Sequence, residues 1–270
     1  MTRLTLDGSS LRLWLDGPAW DGALVAAAGE LDFASPESGA ALLAEAAARA
    51  RDAGLSGLLA PMDGDTWHAY RAVVDTDGSP PFRLEPRSGP HDVAALKAAG
   101  LQPVARYLSS RAPLPPAHEA EPHISDIAVV SWDGQGAEAL LDRLYAMAGA
   151  SFADKMFFKP TNRDVFVALY RPLLPIIDPR LVLFALGTDG ALQGFLFGLP
   201  DGDTAILKTY ASMRPGVGHC LAHRFHALAR DLGFTHVVHA LMHEANVSLE
   251  RSRQHQGTVF RRYALYGLRW

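Results

Sequence analysis

The stretch Met213-Arg214-Pro215-Gly216-Val217-Gly218-His219 joins two segments of different periodicity. Before it, Thr204-Ala205-Ile206-Leu207-Lys208-Thr209-Tyr210-Ala211 is short, apolar and partly β-branched, which predicts a strand. After it, Leu221, Phe225, Leu228 and Leu232 recur at helical spacing and predict a helix over 219–232. A strand, a glycine turn and a helix start together present backbone N–H groups at the positive end of a helix, which suits an anion such as a phosphate. Gly216 and Gly218 let the backbone approach that anion with no side chain in the way.

Outward from this loop, the bulk of the chain sets bounds. Its 270 residues suffice for one large domain or two small ones, and 49% hydrophobic with 20% charged residues is ordinary globular composition. A net charge of -4 and a pI near 6.2 argue against recruitment to nucleic acid or to an anionic membrane. The single cysteine, Cys220, allows no intrachain disulfide and fits a reducing compartment. The start, Met1-Thr2-Arg3-Leu4-Thr5-Leu6-Asp7, does not read as a signal peptide. No apolar run approaches the ~18 residues of a spanning helix. The expectation is a cytoplasmic protein with no nucleic-acid and no membrane partner, as monomer or homodimer.

Four prolines within Arg111-Ala112-Pro113-Leu114-Pro115-Pro116-Ala117-His118-Glu119-Ala120-Glu121-Pro122 read as an extended linker. The expected division is a first domain at 1–112, a linker at 113–122 and a second domain at 123–270. In the first, strands are expected at 11–15, 22–28, 55–62, 81–86 and 104–110. Helices are expected at 36–54, where Ser35 caps, Pro36 opens and Gly54 closes, and at 91–99 before Gly100. In the second, strands are expected at 127–132, 181–186, 192–199, 204–211, 235–242 and 259–268. Its helices are expected at 136–148, 162–177, 219–232 and 245–254, with Pro172 and Pro175 kinking or ending the second of these. Helix, glycine and strand succeed one another at 40–61 and again at 219–242. Duplication of half a domain and ordinary α/β alternation both account for this echo.

The second part resembles the catalytic domain of the GNAT superfamily of N-acetyltransferases. The resemblance runs from Lys208-Thr209-Tyr210-Ala211 through Arg214-Pro215-Gly216-Val217-Gly218. It continues at His243-Glu244-Ala245-Asn246 and ends at Phe260-Arg261-Arg262-Tyr263-Ala264-Leu265-Tyr266. Phe158-Lys159-Pro160, Ile177-Asp178-Pro179-Arg180, Leu59-Ala60-Pro61-Met62 and Pro80-Pro81-Phe82 look like a tandem bacterial subgroup. The resemblance implies an α/β (α+β) fold with a mixed, mostly antiparallel sheet and flanking helices. It also implies an incomplete GNAT-like half-domain at the N-terminal end, where Ser35-Pro36-Glu37-Ser38-Gly39 stands in place of the glycine loop.

The activity implied is acyl-CoA-dependent N-acyl transfer, from acetyl-CoA or another acyl-CoA directly to an amine of a small molecule or peptide. The implied cofactor-binding residues are Ala211, Ser212, Met213, Arg214, Gly216, Val217, Gly218, His219 and Asn246, with the pantetheine arm lying between the strands 204–211 and 235–242. Two positions depart from the family pattern. Met213 stands where the family has Gln or Arg, with Arg214 one residue late. Arg253 stands where many members have a tyrosine seven residues after the asparagine.

Acyl transfer to an amine needs a held thioester, a donor to the developing oxyanion, a base for the amine proton and an acid for the leaving thiolate. Arg253 stays protonated and cannot be that acid, which leaves Tyr210, Tyr263 or Tyr266. Glu244 and His243 close the strand beside the expected cleft and are candidate bases, and His239 shares a strand face with His243. The catalytic candidates are therefore Glu244, Tyr210 and His243, each also readable as a solvated strand-end residue. A non-catalytic acyl-CoA-binding or structural relative remains the alternative.

Other features compete less well. His219, His223 and His226 share a helix face opposite the apolar one, without a carboxylate or cysteine at zinc-site spacing, so a solvated or inter-domain face is expected rather than a metal site. Cys220 adjoins the apolar stripe and reads as a small core residue. Arg251, Arg253, Arg261 and Arg262 read as a solvated basic face. Trp67, His68 and Tyr70 form a cluster expected to pack the two parts together.

Overall fold

The glycine-punctuated alternation of strands and helices is what the computed structural model shows, over residues 1–114, 122, 124–245 and 247–270. The first elements are β1 (Thr2–Leu6), β2 (Ser9–Trp14), the small hairpin β3 (Ala19–Trp20) and β4 (Ala23–Leu24), β5 (Ala26–Asp32), α1 (Pro36–Asp52), β6 (Gly57–Ala60), β7 (Ala72–Thr76), α2 (Asp92–Ala98) and β8 (Gln102–Pro113). Then come β9 (Ile127–Ser131), α3 (Ala137–Phe152), α4 (Arg163–Tyr170), β10 (Val182–Gly187), β11 (Leu192–Asp201), β12 (Thr204–Ser212), α5 (Val217–Asp231), β13 (His236–His243), α6 (Val247–Gln254) and β14 (Thr258–Arg269).

Packing divides the chain into two units. Unit 1 comprises Met1–Leu108, Asp154–Lys159 and Phe260–Trp270, and unit 2 comprises Ser109–Ala153 and Pro160–Val259. The expected second domain takes in all of 123–270. The last strand groups with unit 1 because β14 pairs antiparallel with β6 and with β7. Asp154–Lys159 joins unit 1 because Phe158 packs edge-on to Trp67, whose indole N–H donates to the Lys159 carbonyl at 2.8 Å. Of the proline-rich stretch, residues 115–121 lie outside the described residues.

In unit 1 the strand order is β1-β2-β5-β6-β14, with only β5 and β6 parallel. The hydroxyl of Ser35 accepts the Ser38 N–H at the start of α1, Pro36 occupies its first turn, and Gly54 follows it at φ 76°. Leu42, Leu43, Ala46 and Ala50 of α1 then bury against Leu11, Leu13, Ala26, Ala28 and Leu58 of the sheet.

Unit 2 runs β13-β12-β11-β10-β9, again with a single parallel pair, β12 and β13. Val217, Leu221, Phe225 and Ala229 of α5 pack on Leu196, Ala205, Leu207 and Val237. Gly198 on β11 makes this close approach possible, since a Cβ there would collide with the Phe225 ring. The fold is thus mixed and mostly antiparallel, with flanking helices. No described helix is long and apolar enough to cross a membrane.

Both units repeat one connectivity. An antiparallel pair leads through a helix to a parallel neighbour, as β2-β5-α1-β6 in unit 1 and β11-β12-α5-β13 in unit 2. Some local expectations fail and others hold. Residues 81–86 form a turn with Leu84 at φ 62°, not a strand. The helix over 162–177 is ended by its prolines as expected: it stops at Tyr170 and continues as a 3-10 turn, Arg171–Ile176, because Pro172 and Pro175 withhold the N–H groups an α-helix needs. The strands β1 and β7 were not anticipated.

Candidate active site

The parallel ladder between β12 and β13 is short. It pairs Thr204 with His236, Ala205 with Val237, Ile206 with Val238 and Leu207 with His239, and there it ends. Both strands continue past that level, β12 to Ser212 and β13 to His243. β12 stays paired with β11 up to Ser212, but between Leu207 and Thr209 it carries one extra residue, Lys208, against consecutive partners on β11. Such a bulge bends its strand and sharpens the local twist. The two parallel strands therefore part beyond Leu207 and His239.

The glycine loop sits at the end of parted β12. The Met213 N–H bonds the Gln193 carbonyl at 2.9 Å, which fixes where the loop leaves the sheet. Gly216 lies at φ 84°, a conformation costly for any side chain, and its carbonyl accepts from His219 N–H at 2.9 Å and Cys220 N–H at 3.2 Å. Among the described residues, no side chain caps the start of α5. Its geometry leaves the first N–H groups, those of Val217 and Gly218, without an acceptor within the helix, at the positive end of its dipole.

Tyr210 bridges the starts of two helices. A Cβ on Gly218 would stand 3.0 Å from Tyr210 Cε2 and 3.3 Å from Ser212 Oγ, so the ring lies against the first turn of α5. Its hydroxyl is 2.8 Å from Ser248 Oγ in the first turn of α6. The other expected site residues are placed as follows. Met213 is exposed, with its sulfur 3.5 Å from Ser151 Oγ. Arg214 is held by both oxygens of Asp126, at 2.8 and 3.3 Å, and this guanidinium keeps the Asp126 carboxyl below the usual carboxylate range. Ala211 is buried in the sheet, and Ser212 and His219 are exposed. His243 is half-buried and accepts the Ala245 N–H at its Nδ1, 3.2 Å away, and Glu244 is exposed beside it. Asn246 lies outside the described residues.

Tyr263 and Tyr266 belong to the core of unit 1, where the Tyr263 hydroxyl donates to the Glu85 carboxylate. That leaves Tyr210, among the three tyrosines considered, at the parted strands. Trp67, His68 and Tyr70 pack within unit 1, where Asp65 accepts from His68 at 2.7 Å and raises its pKa.

Around His226 and His239 is a buried polar chain. His226, expected on a solvated or inter-domain face with His219 and His223, is instead 7% exposed and bonded within unit 2. Its Nδ1 lies 2.6 Å from the Ala222 carbonyl, which only accepts, so Nδ1 carries the proton. The unprotonated Nε2 of His226 therefore accepts from Nε2 of His239 at 2.8 Å, and Nδ1 of His239 accepts from Ser252 Oγ at 2.8 Å. Ser110 donates in turn to Ser252. His255 stacks on His226 with ring centres 4.2 Å apart. Burial, reinforced by the neighbouring histidines, lowers both pKa values, that of His239 to about 3 and that of His226 well below the ordinary value, so both rings are neutral. No group of three or more His, Cys, Asp or Glu among the described residues is arranged to hold a metal ion. Cys220 is buried, its thiol donating to the Pro122 carbonyl at 3.3 Å.

No protein-family model matches the chain, and no curated protein matches its sequence. Solved structures do match. The chain is similar to a GCN5-related N-acetyltransferase from Sphaerobacter thermophilus, at 13% identity and TM-score 0.59 over 97% of this chain and 76% of that one. It is also similar to a tandem GNAT protein from the clavulanic acid biosynthesis pathway, at 16% identity and TM-score 0.54 over 97% and 78%. A third is a GCN5-related N-acetyltransferase from Anabaena variabilis, at 11% identity and TM-score 0.53, where this chain covers 58% of the other's length.

The fold is that of the GNAT superfamily.

The two units differ at the equivalent place. In unit 1 the gap between β5 and β6 is shut from within. The Met62 N–H reaches the Ala28 carbonyl at 2.8 Å, and Asp63 Oδ1 accepts the Glu30 N–H at 2.8 Å. A Cβ on Gly29 would collide with that same Asp63 oxygen. The start of α1 is likewise supplied with acceptors, from Ser35 Oγ to the Ser38 N–H at 3.1 Å and from Ser9 Oγ to the Ala34 N–H at 2.8 Å. Unit 2 has parted strands and an uncapped helix start, and unit 1 has neither.

Proposed function

We propose that the chain is an acyl-CoA-dependent N-acyltransferase whose co-substrate binds unit 2, with acetyl-CoA to the amine of a small molecule or peptide as the leading pair. One observation carries this reading: the β12–β13 ladder stops at Leu207 and His239 beside a glycine-led, uncapped helix N-terminus. The N–H groups of Val217 and Gly218 suit the pyrophosphate. The backbone of Lys208–Ser212 suits the amides of an extended pantetheine arm, as an added strand would.

In the transfer, the amine nitrogen attacks the thioester carbonyl carbon, the C–N bond forms and the C–S bond breaks. The amine proton passes to Glu244 or His243, and the leaving thiolate takes a proton from Tyr210. Arg214, already paired with Asp126, is assigned to shaping the loop rather than to holding the phosphate. A second reading, a non-catalytic acyl-CoA-binding protein, is favoured by Arg253, which is exposed and paired with Glu250 at 3.5 Å, standing where a proton donor is expected.

Calorimetric titration of acetyl-CoA into wild-type protein and into a Gly216→Val, Gly218→Val variant tests the site. Micromolar binding lost in the variant supports it, and no binding to wild type removes it. Release of free thiol across a panel of amines then separates the two readings, since binding without turnover favours the second.

A further inference from the structure

One residue of β13 adopts a backbone conformation rare for its type. Leu241 lies at φ 57°, in the left-handed region, where crowding between Cβ and the carbonyl opposes every residue but glycine. Such a residue persists only where its surroundings impose it. Here the Leu241 N–H donates to Ser109 Oγ at 3.0 Å, and Ser109 is 0% exposed. The next residue, Ser110, is equally buried and belongs to the Ser252–His239 chain. Successive residues of a strand point to opposite faces, so these two serines of β8 engage β13 on both.

The position of Leu241 matters. It lies two residues past His239, the last residue of β13 paired with β12, and the bulged residue Lys208 lies one past Leu207, its partner at that level. Both strands thus leave the regular extended repeat just beyond the point where they part. With residue 241 extended, β13 would keep the straight course it has beside Leu207, and the gap would be only as wide as the bend at Lys208 makes it. In unit 1 the corresponding gap is bridged by other means, the Met62 N–H on the Ala28 carbonyl and the Asp63 carboxylate on the Glu30 N–H.

We infer that the left-handed backbone of Leu241, held by Ser109, is the positioning device that keeps β13 away from β12 and sets the width of the acyl-CoA slot. The inference rests on the acyl-CoA reading above.

The test uses opposite demands of backbone and packing. Glycine accepts a positive φ freely, whereas valine, being β-branched, resists it. Packing alone ranks them the other way, because valine keeps more apolar volume. Acetyl-CoA is titrated into wild type, Leu241→Gly, Leu241→Val and Ser109→Ala, and each ligand-free protein is melted. The expected result is binding by Leu241→Gly within about threefold of wild type, binding by Leu241→Val and Ser109→Ala weaker by about tenfold or more, and a higher melting temperature for the glycine than for the valine variant. If the valine variant binds as tightly as wild type, or outmelts the glycine variant, the inference is overturned and the acyl-CoA reading stands. If wild type itself binds no acetyl-CoA, both are overturned.

Discussion

Tyr210 and the pair His226–His239 show how differently a polar residue behaves at the edge of a site and behind it. Tyr210 is half-buried, with its hydroxyl on a second hydroxyl, so removing that oxygen costs little packing. If it protonates the leaving thiolate, Tyr210→Phe lowers kcat by about a hundredfold while acetyl-CoA affinity changes little. Steady-state rates beside calorimetric affinities check this, and an unchanged kcat would remove Tyr210 from the mechanism. The histidines act on stability. Both folded pKa values lie below the ordinary unfolded value of about 6.5, that of His239 at about 3, so as pH falls below 6.5 the unfolded chain binds more protons than the folded one. Their contribution is whole above pH 6.5 and is lost as pH falls, with a slope of up to about 1.4 kcal/mol per pH unit for each ring. Urea midpoints measured from about pH 4 to 7 should fall steeply toward acid, and His239→Gln should flatten that slope by about one proton. An equally steep slope in the variant would show that the acid sensitivity arises elsewhere.

At the level of elements, the seating of α5 on β11 depends on a residue with no side chain. Gly198→Ala forces a methyl group into the Phe225 ring, an overpacking expected to cost about 1–3 kcal/mol. Thermal or urea denaturation would show it, and a neutral substitution would mean that α5 can lift from the sheet. The same elements show what sequence can reveal. α1 was legible because its signals are local: Ser35, Pro36 and Gly54 mark its ends whatever surrounds it. The glycine loop was legible for the same reason. The role of His226 was not. Helical spacing says which residues share a face, but the partners of His226 include His239, 13 residues away on β13, and His255 beyond α6. The parting of β12 and β13 was expected only from family resemblance, since a bulge at Lys208 and a left-handed Leu241 leave no mark in composition or periodicity. β7 was missed because three of its five residues are exposed, which leaves no apolar alternation to read.

Across the whole molecule, one connectivity occurs twice and only one copy keeps the features that suit a ligand. In unit 1, Asp63 and Met62 shut the strand gap, and Ser35 and Ser9 serve the amides around the start of α1. Titration should therefore give one acetyl-CoA per chain. A stoichiometry of two would show that the closed gap opens. The helix–glycine–strand echo at 40–61 and 219–242 was visible in the sequence. Its asymmetry was not, because one aspartate after a proline gives no hint that its carboxylate reaches the backbone of another strand.

Cys220 offers a practical consequence. It is the chain's single thiol, it lies in the first turn of α5, and it is shielded from solvent with its sulfur against the Pro122 carbonyl. A maleimide or an aromatic disulfide can therefore attack only when that turn opens, and the labelling rate becomes a clock for local opening. An anion seated on the Val217 and Gly218 amides would slow that clock in proportion to its occupancy. The protein thus carries a built-in reporter, readable by mass spectrometry at a single sulfur, for whatever binds at the start of this helix.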